Sequence, residues 1–323
     1  TYADAVQNVT ENIPQATVIK IDSEAIWDKM TAGDYGWNYF GMINVKQKSV
    51  KGAGVAISES SLDLDFVHVY DHQVSESDWI NAAGIFARDA KKINISNSSI
   101  YNNDVQNGDG AGIGVFWSNE LSLSNTTVYD NNAVGDNNCT AGGLIAQGME
   151  TVSIVNSIFY DNESRCDHSV RIGNVQEYTI NHSLIQNGLN FQDAENNIGL
   201  VQNSIFLNRP LAQWGPTKPS KLTIQNNLIN GGTHLDYEID KYGANNLVGA
   251  NTAFSDEANN DYQLTSSSVL IGAGKASNDV LDIKGNTRPN PSGSKPDIGP
   301  HENALDKPDL IFAPYFATEL SDH

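Results

Sequence analysis

Residues able to do acid–base chemistry fall at the openings of repeated β-rich segments. Glu120, Glu150 and Glu177 stand near one strand start on successive repeats. Glycoside hydrolysis needs two carboxylates roughly 5–10 Å apart beside a sugar-binding groove, and Trp117 is placed to stack on a pyranose. Acids at strand edges also serve simply to blunt edge pairing while staying solvated, so both roles are open. Arg88, Arg171 and His168 offer a cationic set of the kind a polysaccharide lyase uses, one group to neutralise a uronate carboxylate and one to take the α-proton. Residues 93–217 contain no lysine for that task. Arg171 aligns with Ile85, Ile113 and Leu144, which makes it either a purposeful break in an apolar pattern or a slip in register. The paired-aspartate signatures of polygalacturonases, Asn-Thr-Asp and Asp-Asp, do not occur in the chain.

A second set is made of acidic turns. NDVQNGDG, NNAVGDNN and NESRCDHS place Asp109, Asp136 and Asp167 at similar offsets, with Asp104 and Glu163 beside them. Carboxylates and asparagine carbonyls converging every ~4.8 Å along stacked strands suit Ca2+, which takes six to eight oxygens. Asp and Gly are equally the ordinary residues of turns.

The elements that must position these groups are visible as a repeat. Aligning INISNSSIYNN, LSLSNTTVYDN, VSIVNSIFYDN, TINHSLIQN, VQNSIFLN and LTIQNNLIN puts Asn97, Asn125, Asn156, Asn181, Asn203 and Asn226 in one column, at spacings of 28, 31, 25, 22 and 23 residues. An apolar residue follows three positions later each time. A period of 20–30 residues with its slack in loops is the mark of a solenoid. Short strand-like runs make it an all-β, parallel β-helix, right-handed by the chirality of parallel crossovers. Asparagine suits the column because stacked carboxamides can form a ladder and because it tolerates left-handed corners. A second column runs through Asn103, Asn131, Asn162 and Asn187. With the first column facing inward, Asn97, Asn125 and Asn181 are removed from the seven N-x-S/T sequons as glycosylation acceptors. Aligning CTAGGLIA with CDHSVRIG sets Cys139 and Cys166 level on adjacent coils. That spacing predicts a disulfide, and with it an oxidising, extracytoplasmic compartment.

The chain has 323 residues and carries a net charge of −20 from 39 acidic and 19 basic residues. It therefore repels nucleic acid and anionic membranes. No apolar run is long enough for a membrane span, and any leader before Thr1 is expected to have been removed. Residues 1–45 read as an N-terminal cap with first strands and a short helix capped by Ser23. Residues 46–255 read as the coils, with Phe66 in the column position of the first one and a proline-rich loop after Asn208. Residues 256–323 read as a closing segment ending in the apolar tail DLIFAPYFATEL.

That closing segment carries SSSVLIGAGKASN at 266–278, DIKGNTRPN at 282–290 and PDIGPHE at 296–302. It resembles the C-terminal motifs of bacterial secreted and surface β-helix repeat proteins, whose pattern runs S-P-x-I-D-A-G, D-x-x-G-x-x-R-P, D-I-G-A-Y-E. Val269 replaces the first proline, and Pro300-His301 stands where Ala-Tyr is usual. The resemblance implies a β-helix and an extracellular or cell-surface location, in a group that includes both enzymes and adhesins. The leading expectation is a structural, adhesive or filament-forming surface protein without catalytic activity. Its partners would be copies of itself, cell-surface components or polysaccharide. The alternative is a polysaccharide lyase or glycoside hydrolase acting in a groove on the β-helix face.

Overall fold

The computed structural model describes residues 20–21, 54–59, 61–74, 82–106, 108–133, 141–165, 168–192, 197–209, 211–213, 221–230, 233–234 and 245–309. Their strands form a parallel β-solenoid. A first sheet stacks eight parallel strands from Val55–Ser58 to Thr233–His234. A second stacks Ser61–Asp65 through Lys221–Gln225, with Lys20–Ile21 added antiparallel at its edge. A third runs from His68–Tyr70 to Leu247–Val248, and a short fourth joins Gln73–Val74, Asp104–Val105, Asn132–Ala133 and Glu163–Ser164. The one helical turn among the described residues is the 3-10 turn Glu257–Asn259.

Alternation puts Ile93, Ile95, Leu121, Leu123, Val152, Ile154, Tyr178 and Ile180 of the second sheet into one continuous core with Ile85, Ile113, Leu144, Val170, Val128 and Phe159. Removing these side chains from water is the main stabilising term, at about 25 cal/mol per Å² of apolar surface.

The corner between second and third sheets is turned by one left-handed residue per coil: Phe66, Asn97, Asn125, Asn156, His182, Asn203 and Asn226, all with φ between 47° and 54°. The fourth member is thus His182, not Asn181. Asn181 pairs with Val155 and Gln202 as the last residue of its strand, and Ile185, not Leu184, pairs with Phe159 and Phe206. Histidine shares with asparagine a raised tolerance of positive φ. The column's first duty is therefore backbone geometry. Among its side chains, Asn125 Nδ2 donates to Asn97 Oδ1 at 3.2 Å and Asn203 Nδ2 lies 3.1 Å from His182 Nε2, also donating to the neighbouring Asn181 Oδ1 at 3.0 Å. Nor does the column face inward throughout: Asn97 is exposed and Asn125 half-buried, while Asn156, Asn181, Asn203 and Asn226 are buried. Burial thus removes Asn181 from the sequons but leaves Asn97 accessible.

The continuous carboxamide ladder lies at the next corner. Asn103, Asn131 and Asn162 are fully buried. Asn103 Nδ2 donates to Asn131 Oδ1 at 2.8 Å, Asn131 Nδ2 to Asn162 Oδ1 at 2.9 Å, and Asn162 Nδ2 to Ser169 Oγ at 3.1 Å. Asn187 is not a rung. With φ 63° it belongs to the neighbouring left-handed column with Asn102, Asp130 and Asp161. Outside this corner, Tyr70, Tyr101, Tyr129 and Tyr160 stack with ring centroids 4.9, 4.8 and 4.9 Å apart.

Residues 245–309 close the solenoid from the side. The antiparallel pair Phe254–Asp256 and Asp261–Leu264 leads into a segment that covers the outward side of the third sheet. There Ile158, Leu184, Ile205 and Leu228 pack against Tyr262, Leu270, Ile271 and Ile298.

Candidate functional site

The outward face of the first sheet carries two of the sequence-derived candidates, Arg88 and Arg171, with Trp117 at its end. Arg88, Phe116, Gln147 and Gly173 share one register position. Phe86, Gly114, Ile145, Arg171 and Asn190 share another. Arg171 therefore pairs with Ile145, and Val170 takes the core position opposite Leu144. The arginine does not break the apolar column; it projects outward beside it, half-buried.

Trp117 follows Phe116 at a left-handed corner, φ 47°, and is 52% exposed. The Arg88 guanidinium lies 4.6 Å from its ring centre and also pairs with Asp89 at 3.4 Å. A Cβ on Gly148 of the next coil would fall 2.9 Å from the indole Cδ1, so the ring is held between Arg88 and Gly148. The adjoining floor is apolar, formed by Ala56, Phe86, Phe116 and Ile145.

Further along this face stand Asp109, Arg171, His168 and Asn190. Burial raises the Asp109 carboxyl above its ordinary value, and the nearby Arg171 pulls it down. Burial likewise lowers Arg171, and Asp109 opposes that shift. Asn190 Nδ2 lies 3.3 Å from His168 Nε2. The sequence named three of these four residues without joining Asp109, assigned to an acidic turn, to Arg171.

The glutamates are not gathered. Glu120 and Glu177 both pair with Thr151, on the coil between them. Glu150 precedes that position and is out of register. All three are exposed, and Glu120 lies 3.6 Å from Lys92. Of the acidic-turn residues, Asp104 and Glu163 share a register position interrupted by Asn132. Burial raises the Asp104 carboxyl. Asp109 faces Arg171 instead, and Asp136 and Asp167 lie outside the described residues. Among the described residues, no three acidic, histidine or cysteine side chains are grouped so as to hold a metal ion.

Cys139 and Cys166 also lie outside the described residues. The pairing of Leu144 with Val170 shows that the alignment that set the two cysteines level is off by one residue across these strands. The proposed N-terminal helix, residues 214–220 of the proline-rich loop and the tail from residue 310 are likewise outside the described set. No helix among the described residues is long and apolar enough to cross a membrane.

A buried polar cluster was missed. Arg288 is 4% exposed and pairs with Glu302 at 3.2 Å. It also donates to the carbonyls of Asp297 and Gly299, each at 3.2 Å, and lies 2.5 Å from His182 Nδ1. Asp297 accepts from the amides of Gly272 and Asn303, both at 2.7 Å. Asp282 accepts from the amides of Lys284, Asn286 and Glu302. Burial pushes Asp297 up to about 7 against those hydrogen bonds. It also lowers His182 well below its ordinary value, helped by Arg288. Asp282 and Arg288 belong to DIKGNTRPN, and Asp297 and Glu302 to PDIGPHE. They clamp the closing segment onto the corner at His182.

No family model matches the chain, and no curated protein or solved structure does so either.

Proposed function

We propose that the protein is an extracellular, non-enzymatic surface component of adhesive type, holding polysaccharide on the outward face of its first sheet. One observation carries this reading: a half-exposed tryptophan is fixed by its backbone, by Arg88 and by Gly148 at the end of an apolar strip. Aromatic and arginine side chains pre-set in this way are the usual anchors of binding surfaces, because little conformational entropy is lost when a ligand arrives. Gln147 beside Phe116 supplies an amide for sugar hydroxyls. The regular coil stacking repeats the surface at a fixed pitch, which suits a polymer.

Affinity electrophoresis through gels containing neutral or acidic polysaccharides tests the reading. At least one polysaccharide should retard the wild-type protein, and Trp117→Ala should weaken that retention about tenfold or more with the melting temperature held. Retention unaltered by the substitution would remove the site. A second reading, cleavage of polysaccharide in the same groove, draws on the coupled Asp109 and Arg171 beside His168. Release of reducing ends or unsaturated products would favour it over the non-enzymatic one.

A further inference from the structure

The closing segment does not lie on the solenoid at random; it runs along the left-handed corner from coil to coil. Asn226 Nδ2 donates to Ala273 O at 3.1 Å. Asn203 Nδ2 donates to Lys275 O at 2.9 Å, and Lys275 N returns a bond to Asn203 Oδ1 at 2.7 Å. That reciprocal pair imitates one rung of a β-ladder, with a side chain in place of a strand. His182 Nε2 lies 3.2 Å from Ser277 Oγ, Asn181 bonds Asp279, and Asn156 Nδ2 donates to Leu281 O at 2.8 Å. At Asp282–Gly285 the segment turns back, and Leu281 pairs with Thr287.

The corner continues beyond that turn. Asn125, Asn97 and Phe66 keep φ at 50°, 49° and 54°, yet residues 271–281 stop short of them. Asn97 is exposed and Asn125 half-buried; with no segment over them, Asn125 Nδ2 donates to Asn97 Oδ1 at 3.2 Å and Asn97 Nδ2 to Asp65 Oδ1 at 2.7 Å, each amide keeping a second hydrogen for a ligand carbonyl. Of the six large apolar side chains exposed among the described residues, three flank this stretch: Phe66 at 57% at its far end, and Val280 at 64% and Leu281 at 47% where the segment turns away.

We infer that the open corner from Asn125 to Phe66 is a docking track for a peptide segment of a partner protein, bound as the chain binds its own residues 271–281. The interface already built on Asn156 to Asn226 shows what this corner accepts: a chain whose backbone carbonyls meet the carboxamides of Asn156, Asn203 and Asn226. The charge of the occupant follows from the carboxylate that the open coils present. Lys275 reaches Gln225 Oε1 at 3.3 Å; the equivalent position on the open coils is Ser124, Ser96 and then Asp65. Asp65, which accepts from Ser96 Oγ and Asn97 Nδ2, is the carboxylate that a lysine on the incoming segment would meet, and Phe66 is the partner for an apolar side chain.

The probe is a labelled synthetic peptide of residues 271–281, IGAGKASNDVL, titrated into the full chain by fluorescence anisotropy. The double variant Asn97→Gly/Asn125→Gly keeps the left-handed corner, since glycine adopts positive φ freely, and deletes both carboxamides. Saturable binding to wild type is expected, weakened about tenfold in the variant for two lost hydrogen bonds, with the two melting temperatures alike. Hydrogen exchange at the corners of Asn97 and Asn125 should slow when peptide is present. Absence of saturable binding at millimolar peptide, equal affinity for the variant, or protection confined to the corners at Asn156 to Asn226 would each overturn the inference.

Discussion

The same corner is built twice over, once covered and once open. From Asn156 to Asn226 the closing segment buries it; at Asn97 and Asn125 it meets solvent. Backbone angles do not distinguish the halves, since φ is 49° at Asn97 and 49° at Asn156. The difference is written on the neighbouring outward position of the third sheet. Ser99 and Thr127 pair there in the open half, and Ile158, Leu184, Ile205 and Leu228 in the covered half. Asparagine answers a local demand of the turn, whereas cover is recruited by outward apolar side chains. A repeat can thus keep one corner chemistry throughout and still dedicate each half to a different neighbour.

The comparison breaks most sharply at Arg288. Arg288→Met leaves Glu302 buried without its counter-charge, and removing one partner of a buried pair costs about 3–5 kcal/mol. Calorimetry should show that loss. Hydrogen exchange should speed at residues 270–303 and at Asn203, while the open coils from Ile93 to Val128 keep their protection. Faster exchange everywhere would mean that the covered and open halves are one cooperative unit.

A smaller effect comes from pH. Asp297 has its folded pKa raised from 3.8 to about 7, so in that window the folded state binds more protons than the unfolded one. By linkage its contribution falls as pH rises from about 4 to 7 and levels off above. His182 acts with opposite sign. Burial keeps it neutral, so stability from that site is lost as pH falls below the ordinary histidine value of 6.5. Denaturant melts across pH should therefore change slope in opposite senses in Asp297→Asn and His182→Asn; a shared slope change would refute the assignment.

The smallest effect is on the open side. Phe66 holds φ 54° with its ring exposed, a conformation that costs a bulky residue about 1–2 kcal/mol. Phe66→Asn should raise stability by up to about 1 kcal/mol and extend the asparagine column by one coil. A fall in melting temperature would show that the ring is needed for packing.

Much of the scaffold was legible because a solenoid repeats its demands: inward alternation, a left-handed corner and a small residue after it recur within each coil. The reading slipped by one residue at Asn181-His182, where two adjacent residues could both serve at positive φ. The same kind of slip misplaced Arg171, since Val170 and Arg171 offered alternative registers and only pairing with Leu144 decides between them. Inwardness of the first column does not follow from its spacing because burial there depends on a segment 47 to 125 residues further along the chain. The motif letters of residues 282–302 were visible, but their joint action around Arg288 was not. Convergence of distant loops leaves no spacing to read. Runs such as NSIF and NNLI, with two adjacent apolar residues where NSSIY and NTTVY have one, were the available sign of the covered half.

The tyrosine stack gives the molecule an optical ruler. Four phenol rings held face to face within 5 Å, with interplanar angles of 2°, 7° and 9°, couple their ultraviolet transitions along the solenoid axis. Tyr262 of the closing segment meets the last of them at 6.1 Å and 54°. Near-ultraviolet circular dichroism therefore reports coil spacing from the chain's own chromophores, and its terminal member reports whether the closing segment is seated.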